Sequence, residues 1–189
     1  MNTIGAIVLA AGRSRRFGGD KRRHRLADGR AMLATTLGNC QLAFAAVRLV
    51  LAPGDDTLVE DVRLALRDTD DVVFASRARE GMGHSLAAAA VDLSWRFAFV
   101  VLADMPYILP STYAQLIATA ATLPDDGILI PCHHGERGHP VGFGRDYFAG
   151  LREMSGDQGA KDILRQAAAH ITRVAVDDPG VLQDIDRPV

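Results

Sequence analysis

Ile4-Gly5-Ala6-Ile7-Val8-Leu9-Ala10-Ala11-Gly12-Arg13-Ser14-Arg15-Arg16-Phe17-Gly18-Gly19-Asp20-Lys21 sets two physically different halves side by side near the start of the chain. The first half, Ile4–Leu9, is a continuous apolar run of strand length; the second is a small, glycine-punctuated and basic loop. Gly12, Gly18 and Gly19 let backbone N–H groups approach an anion closely, and Arg13, Arg15, Arg16 and Lys21 can neutralise it. A solvated surface loop is the plain alternative, because short glycine motifs recur by chance. Position favours the anion: open α/β sheets hold their ligands at the carboxyl ends of their strands, so the loop is expected to hold a phosphate.

The alternation continues outward from this unit. Further strands are expected at Val47–Leu51, Val72–Ala75, Phe97–Leu102, Gly127–Ile130, Val141–Gly144 and Ile171–Val176. Several are apolar throughout, as strands covered on both faces of a parallel sheet are. Helices are expected at Ala31–Phe44, Thr57–Leu66, Ser85–Leu93, Pro110–Leu123 and Ala160–Ala169, with Asp55 or Asp56 capping the second. Strands alternating with helices predict a three-layer α/β/α fold with a mostly parallel sheet and right-handed crossovers. No repeat or linker interrupts residues 1–189, so one domain is expected. Only the stretch from Pro131 to Gly144 breaks the rhythm, and its glycines and prolines suggest a binding loop.

Composition narrows the function classes. The net charge of −2 conceals eight Lys/Arg between residues 13 and 30, whereas residues 55–71 and 177–186 are acidic. A nucleic-acid binder is usually basic overall, so the cluster reads as a local site for a small anion. The two cysteines, Cys40 and Cys132, have no metal-ligand spacing and fit a reduced, cytoplasmic protein. No secretory leader is evident and no apolar run reaches about 18 residues, so no membrane partner is expected.

Three further elements carry chemistry. Phe97–Leu102 delivers Leu102-Ala103-Asp104-Met105-Pro106, placing a carboxylate at a strand end in the crevice of the Gly12 loop. There Asp104 either holds Mg²⁺ beside a polyphosphate or caps the following helix. Gly81-Met82-Gly83-His84-Ser85-Leu86 puts two glycines before a helix, suited to close approach by a ring or phosphate, or to a tight turn capped by Ser85. In Asp184-Ile185-Asp186 one carboxylate is a second candidate for Mg²⁺, the other reading being a solvated tail. His139 either contacts substrate or caps a strand, and the His133-His134 pair lacks the acids or cysteines a zinc site needs.

Together these pieces resemble the molybdenum-cofactor-type nucleotidyltransferases, the MobA-like NTP transferase family. Leu9-Ala10-Ala11-Gly12, Ser14, Arg16, Gly18 and Lys21 are similar to its signature LAAGxSxRxGxxK, and Leu102–Pro106 to its metal-binding strand end. Gly81–Leu86 is similar to the GMxxSL segment of the cytidylyltransferase branch, in place of a GPLAG-like stretch in the guanylyltransferase branch. Gly138-His139-Pro140-Val141, Gly156-Asp157-Gln158-Gly159-Ala160 and Asp184–Pro188 resemble further landmarks.

The resemblance implies a Rossmann-like nucleotidyltransferase fold of the nucleotide-diphospho-sugar transferase type. It implies transfer of CMP from CTP to the terminal phosphate of molybdopterin, with Mg²⁺ as cofactor and pyrophosphate as product. Leu9, Ala10, Ala11, Gly12, Ser14 and Arg16 would cradle phosphates, with Gly81, Met82 and Ser85 near the base. Arg16, Lys21 and Asp104 would be catalytic, and Asp104 with Asp184, in preference to Asp186, would hold the metal. His139, Pro140 and Asp157 would meet the acceptor, and a molybdoenzyme would receive the product. Other readings stay open: GTP as donor, a sugar or alcohol phosphate as acceptor, or a cofactor-delivery chaperone without catalysis.

The chain departs from the pattern at Phe17, where Met is usual, and after Lys21. There Arg22-Arg23-His24-Arg25-Leu26-Ala27 replaces an apolar run, and its charge either binds the acceptor's phosphate or forms a solvated edge.

Overall fold

The computed structural model describes residues 2–12, 17–157 and 159–187. The first half of the chain runs β1 (Ile4–Leu9), α1 (Met32–Ala43), β2 (Ala46–Leu51), α2 (Asp56–Val62), β3 (Asp71–Phe74), α3 (Met82–Ala89) and β4 (Phe97–Leu102). After it come α4 (Pro110–Thr122), β5 (Ile128–His133), β6 (Glu136–Arg137), β7 (Val141–Gly144), α5 (Phe148–Arg152), α6 (Lys161–Gln166) and β8 (Ile171–Ala175).

The strands form one sheet in the order β3-β2-β1-β4-β7-β5-β6, with β8 on the other flank of β5. The pairings β3–β2, β2–β1, β1–β4 and β5–β8 are parallel, and β7 runs antiparallel between β4 and β5. Helices cover both faces. Along β1, Ala6 and Val8 enter one apolar cluster with Leu33, Leu37 and Phe44 of the α1 segment, Leu58 of α2 and Tyr113 and Leu116 of α4. The alternate residues Ile7 and Leu9 enter the opposite cluster with Leu86 of α3, Leu151 of α5 and Ile163 of α6. Period-two alternation on a strand buried on both faces is why β1 reads as an uninterrupted apolar run. Fully burying each of the largest aromatic side chains, Phe44, Phe97, Phe99, Tyr113 and Phe143, contributes about 2–3 kcal/mol.

The expected three-layer α/β/α fold is present, and strands β1, β4 and β7 have the expected bounds. The differences have physical causes. Helix α3 begins at Met82 rather than Ser85, because Gly81 is its N-cap and the Gly83 N–H donates to the Gly156 carbonyl at 2.8 Å. Helices α2 and α6 end early, each followed by a 3₁₀ turn. Asp55 occupies the N-cap position of α2, but its carboxylate turns to Arg22 and to the Ala52 N–H instead. The stretch after Pro131 is no open loop. β5 runs on to His133 and folds back through His134 and Gly135, both at positive φ, into β6.

The chain steps outward from β1 through β2 and β3 and returns to β4 on the other flank of β1. At such a switch point the loops leaving the two central strands part and open a crevice. No helix among the described residues is long and apolar enough to cross a membrane.

Candidate active site

At that switch point β1 and β4 end in register, Leu9 opposite Leu102, and the Ala103 N–H donates to the Leu9 carbonyl at 3.2 Å. A cleft of about 550 Å³ opens there. Its floor is Leu9, Ala10, Ala11 and Gly12 from one strand and Leu102, Ala103 and Asp104 from the other. Lys21 and Asp186 stand on one wall, and Gly81, Met82, Ser85 and Asp157 on the opposite one. Ser14 and Arg16 lie outside the described residues.

Asp104 is the electrostatic centre. One carboxylate oxygen accepts from the Lys21 ammonium at 2.5 Å; the other is buried with no hydrogen-bond donor among the described residues. The Asp104 carbonyl accepts from the Ile185 N–H at 3.0 Å, and the Ile185 side chain packs with Leu26 and Met32. The apolar residue thereby anchors the C-terminal segment and turns its neighbours outward together. Oxygens of Asp104, Asp184 and Asp186 come within 4.8 Å of one another. The preference for Asp184 over Asp186 thus does not separate them. Alternation about a buried Ile185 was the available signal that both face one way. Nor does Asp104 cap the following helix. That role falls to Asp178, which accepts from the Leu109 N–H and the Thr112 hydroxyl.

Lys21 also reaches Asp186, at 3.4 Å. Burial disfavours its charged form, but Asp104 and Asp186 outweigh this and hold its pKa above the ordinary lysine value. His139 and Pro140 do not line the cleft. The His139 N–H bonds the Val181 carbonyl at 2.9 Å, and one ring nitrogen is buried without a partner. Burial pushes the imidazole pKa down, against the pull of the Val100 carbonyl, Asp104 and Asp184. This histidine lies behind the cleft, close enough to feel the charges of Asp104 and Asp184. Asp157, by contrast, does line the cleft.

The two glycine segments differ. A Cβ at Gly12, Gly18 or Gly19 would meet nothing within 4 Å among the described residues. A Cβ at Gly81 would overlap the Gly156 backbone and lie 2.6 Å from the Asp157 carboxylate, and one at Gly83 would meet the Ser155 carbonyl at 2.6 Å. What packs closely on Gly81 and Gly83 is the chain's own 155–157 turn.

The basic run after Lys21 is spent within the protein. Arg22 pairs with Asp20 and Asp55, and Arg23 bonds Asp61 at 2.7 Å and Thr57 at 2.8 Å. Arg25 donates to the Gly29 carbonyl at 2.7 Å. Arg22 is wholly engaged by the protein, whereas Arg23 and Arg25 remain exposed at the surface. The role of Arg22 escapes a reading of local spacing because Asp55 lies 33 residues away.

The architecture recurs in solved structures. The chain is similar to the Rv0371c protein of Mycobacterium tuberculosis H37Rv, with 28% identity, a TM-score of 0.80, and 98% of this chain and 94% of that one covered. It is also similar to the Rv0371c complex with manganese, at 27% identity and a TM-score of 0.74, covering 93% of this chain and 88% of that one. A nucleotidyl transferase from Methanothermobacter thermautotroptrophicus shares the fold at 18% identity and a TM-score of 0.80, covering 99% and 93%. No curated protein matches the chain. The model of the MobA-like NTP transferase domain matches residues 6–172, which carry the floor of the cleft, Lys21 and Asp104, and the chain belongs to that family.

Proposed function

We propose that the chain transfers CMP from CTP to the terminal phosphate of a molybdopterin-type acceptor and releases pyrophosphate. One observation carries the reading: a buried carboxylate oxygen of Asp104 without a donor among the described residues, at a strand end where two more carboxylates and Lys21 converge. Buried polar atoms are nearly always paired, so a bare one beside an open cleft points to a ligand that supplies the partner. Three carboxylates suit a hard divalent cation such as Mg²⁺, which when bound neutralises and aligns a polyphosphate. A similar protein has been solved with manganese, which supports divalent-metal use here.

The residues fit the chemistry in turn. An oxygen of the acceptor phosphate forms the new bond to the α-phosphorus while the bond to the β-phosphate bridge breaks and pyrophosphate leaves. No covalent enzyme intermediate is needed, so catalysis is positioning and charge neutralisation. Ala11 and Gly12 line the crevice, where backbone amides suit phosphate oxygens. The Lys21 ammonium, kept charged by its carboxylates, suits the charge growing on the α-phosphate and leaving group. Ser14 and Arg16 are assigned to the phosphates from the motif alone. Met82, 45% exposed beside Gly81 and Ser85, offers an apolar rest for the base, and Asp157 a contact for the acceptor. The Gly81–Leu86 segment is the basis for preferring CTP.

The test is pyrophosphate release by the purified protein with Mg²⁺ and molybdopterin, comparing CTP, GTP, ATP and UTP. Fastest release with CTP is expected. Equal rates with GTP would overturn the choice of base, and release only with a sugar or alcohol phosphate would overturn the acceptor. No release with any pairing of nucleotide and acceptor would leave a carrier role and remove the enzymatic one.

A further inference from the structure

Arg22 lines the cleft next to Lys21 and yet has no N–H left to offer a ligand. A guanidinium has five donors, and all five are taken. Nε and one terminal nitrogen donate to the two Asp20 oxygens, both at 2.8 Å. The terminal nitrogens bond the Asp55 oxygens at 2.6 and 2.8 Å, and the last N–H donates to the Ala10 carbonyl at 2.8 Å.

These partners are not equivalent pieces of surface. Ala10 is where the glycine loop leaves β1, and its own N–H is tied to the Val50 carbonyl of β2 at 2.9 Å. Asp20 is where the loop ends, one residue before Lys21. Asp55 belongs to the turn between β2 and α2, where it also accepts the Ala52 N–H at 2.9 Å. One guanidinium, its side chain 14% exposed, therefore joins both ends of the loop to the corner of the neighbouring strand. The cations on either side reinforce the placement. Lys21 turns to Asp104, Arg22 to Asp55 and Arg23 to Asp61, so three consecutive residues are staked to three different elements.

We propose that Arg22 is a positioning residue for nucleotidyl transfer: it closes the base of the glycine loop between Ala10 and Asp20 and fixes the turn that aims Lys21 into the cleft. The inference rests on the function proposed above. Because every donor is committed, Arg22 acts through the loop amides and Lys21 and not by touching substrate. Holding Ala10 and Asp20 together keeps Lys21 oriented for the in-line step, so the benefit falls on turnover more than on binding. The geometry is specific to arginine. A lysine keeps the charge but cannot bond two carboxylates and a carbonyl in one plane. Asp20 and Asp55 keep the Arg22 guanidinium charged despite its burial, so the clamp holds across the physiological range.

The experiment compares the wild-type chain with Arg22→Lys, Arg22→Ala and Asp55→Asn, reading kcat and KM for CTP in pyrophosphate release, CTP binding at equilibrium, and the urea midpoint. Arg22→Lys is expected to stay folded and lose about 10²-fold in kcat, the cost typical of small misplacements remote from the reacting atoms. Its KM is expected to move less than kcat. Free guanidinium ion is expected to restore activity to Arg22→Ala and not to raise that of the wild type. Asp55→Asn, which keeps the side-chain size, is expected to lose kcat in the same sense and keeps the test open should Arg22→Ala not fold. Wild-type kcat in Arg22→Lys, or a loss confined to KM, would overturn the inference. So would a loss in every variant that follows only the unfolded fraction. A wild-type chain that releases no pyrophosphate with any nucleotide would instead overturn the function itself.

Discussion

Asp104 and Asp178 both follow strands whose carboxyl ends lie on one edge of the sheet, and the fold treats them in opposite ways. Asp178 is 2% exposed and fully supplied: one oxygen accepts from the Gly180 N–H at 2.9 Å, the other from the Leu109 N–H at 2.9 Å and the Thr112 hydroxyl at 2.6 Å. Asp104 has one oxygen on Lys21 and one buried and bare among the described residues. A carboxylate with both oxygens met by the chain is structural. One left short of donors beside a cleft is held ready for something that is not part of the chain.

The largest effect expected from this contrast is on rate. Asp104→Asn and Lys21→Ala are expected to lower pyrophosphate release by about 10²–10³ or more, the scale of removing one transition-state charge contact. Neither is expected to lower the urea midpoint much, since Asp104 already carries an unpaired oxygen. Asp178→Ala inverts the pattern. Leaving the Leu109 and Gly180 N–H groups and the Thr112 hydroxyl without an acceptor is expected to cost about 3 kcal/mol of stability, read by urea denaturation, with kcat kept in the folded fraction.

The glycines repeat the contrast at smaller scale. Gly81→Ala forces a φ of +133° on a residue with a Cβ and drives that carbon into Gly156. It is expected to cost about 2 kcal/mol in a denaturant titration. Gly12→Ala meets nothing within 4 Å among the described residues and is expected to stay within about 0.5 kcal/mol of wild type while lowering turnover, because the added methyl enters the crevice.

This division between groups used by the chain and groups left open explains what the sequence makes legible. Strands β1 and β4 are readable because burial on both faces makes them apolar throughout, and the chemistry follows at their carboxyl ends as Gly12 and Asp104. The start of α3 is not readable. Gly81 and Gly83 carry the same local signal as the loop glycines, and only the turn at 155–157, more than seventy residues on, fills the space above them. Arg22 is obscured for the same reason, since its partner Asp55 is distant in sequence and a run of arginines looks available until the carboxylates around it are placed. β6 and α5, at two and five residues, are too short for periodicity to register.

The smallest expected effect concerns a third carboxylate, remote from the cleft. Asp70 bonds the Val47 N–H at 2.9 Å, Gln41 at 2.8 Å and the Arg67 guanidinium at 2.8 Å, fastening α1 to β2. Burial works against its charge, but Arg67, Gln41 and the Val47 N–H prevail and hold its pKa below the ordinary aspartate value. A carboxylate with a lowered folded-state pKa stabilises above its unfolded value and loses that contribution as pH falls through the folded one. Urea midpoints measured from pH 7 downward are therefore expected to hold until about pH 4 and then fall, and Asp70→Asn to flatten that fall. An unchanged acid limb in Asp70→Asn would place the sensitivity elsewhere.

The most direct measurement is pyrophosphate release from CTP, with Mg²⁺ and molybdopterin, by the wild-type chain and Asp104→Asn at matched folded fractions. The account predicts release by the wild type and a loss of about 10² or more in the variant. Equal rates in the two would mean that the bare oxygen of Asp104 is not where the chemistry is held.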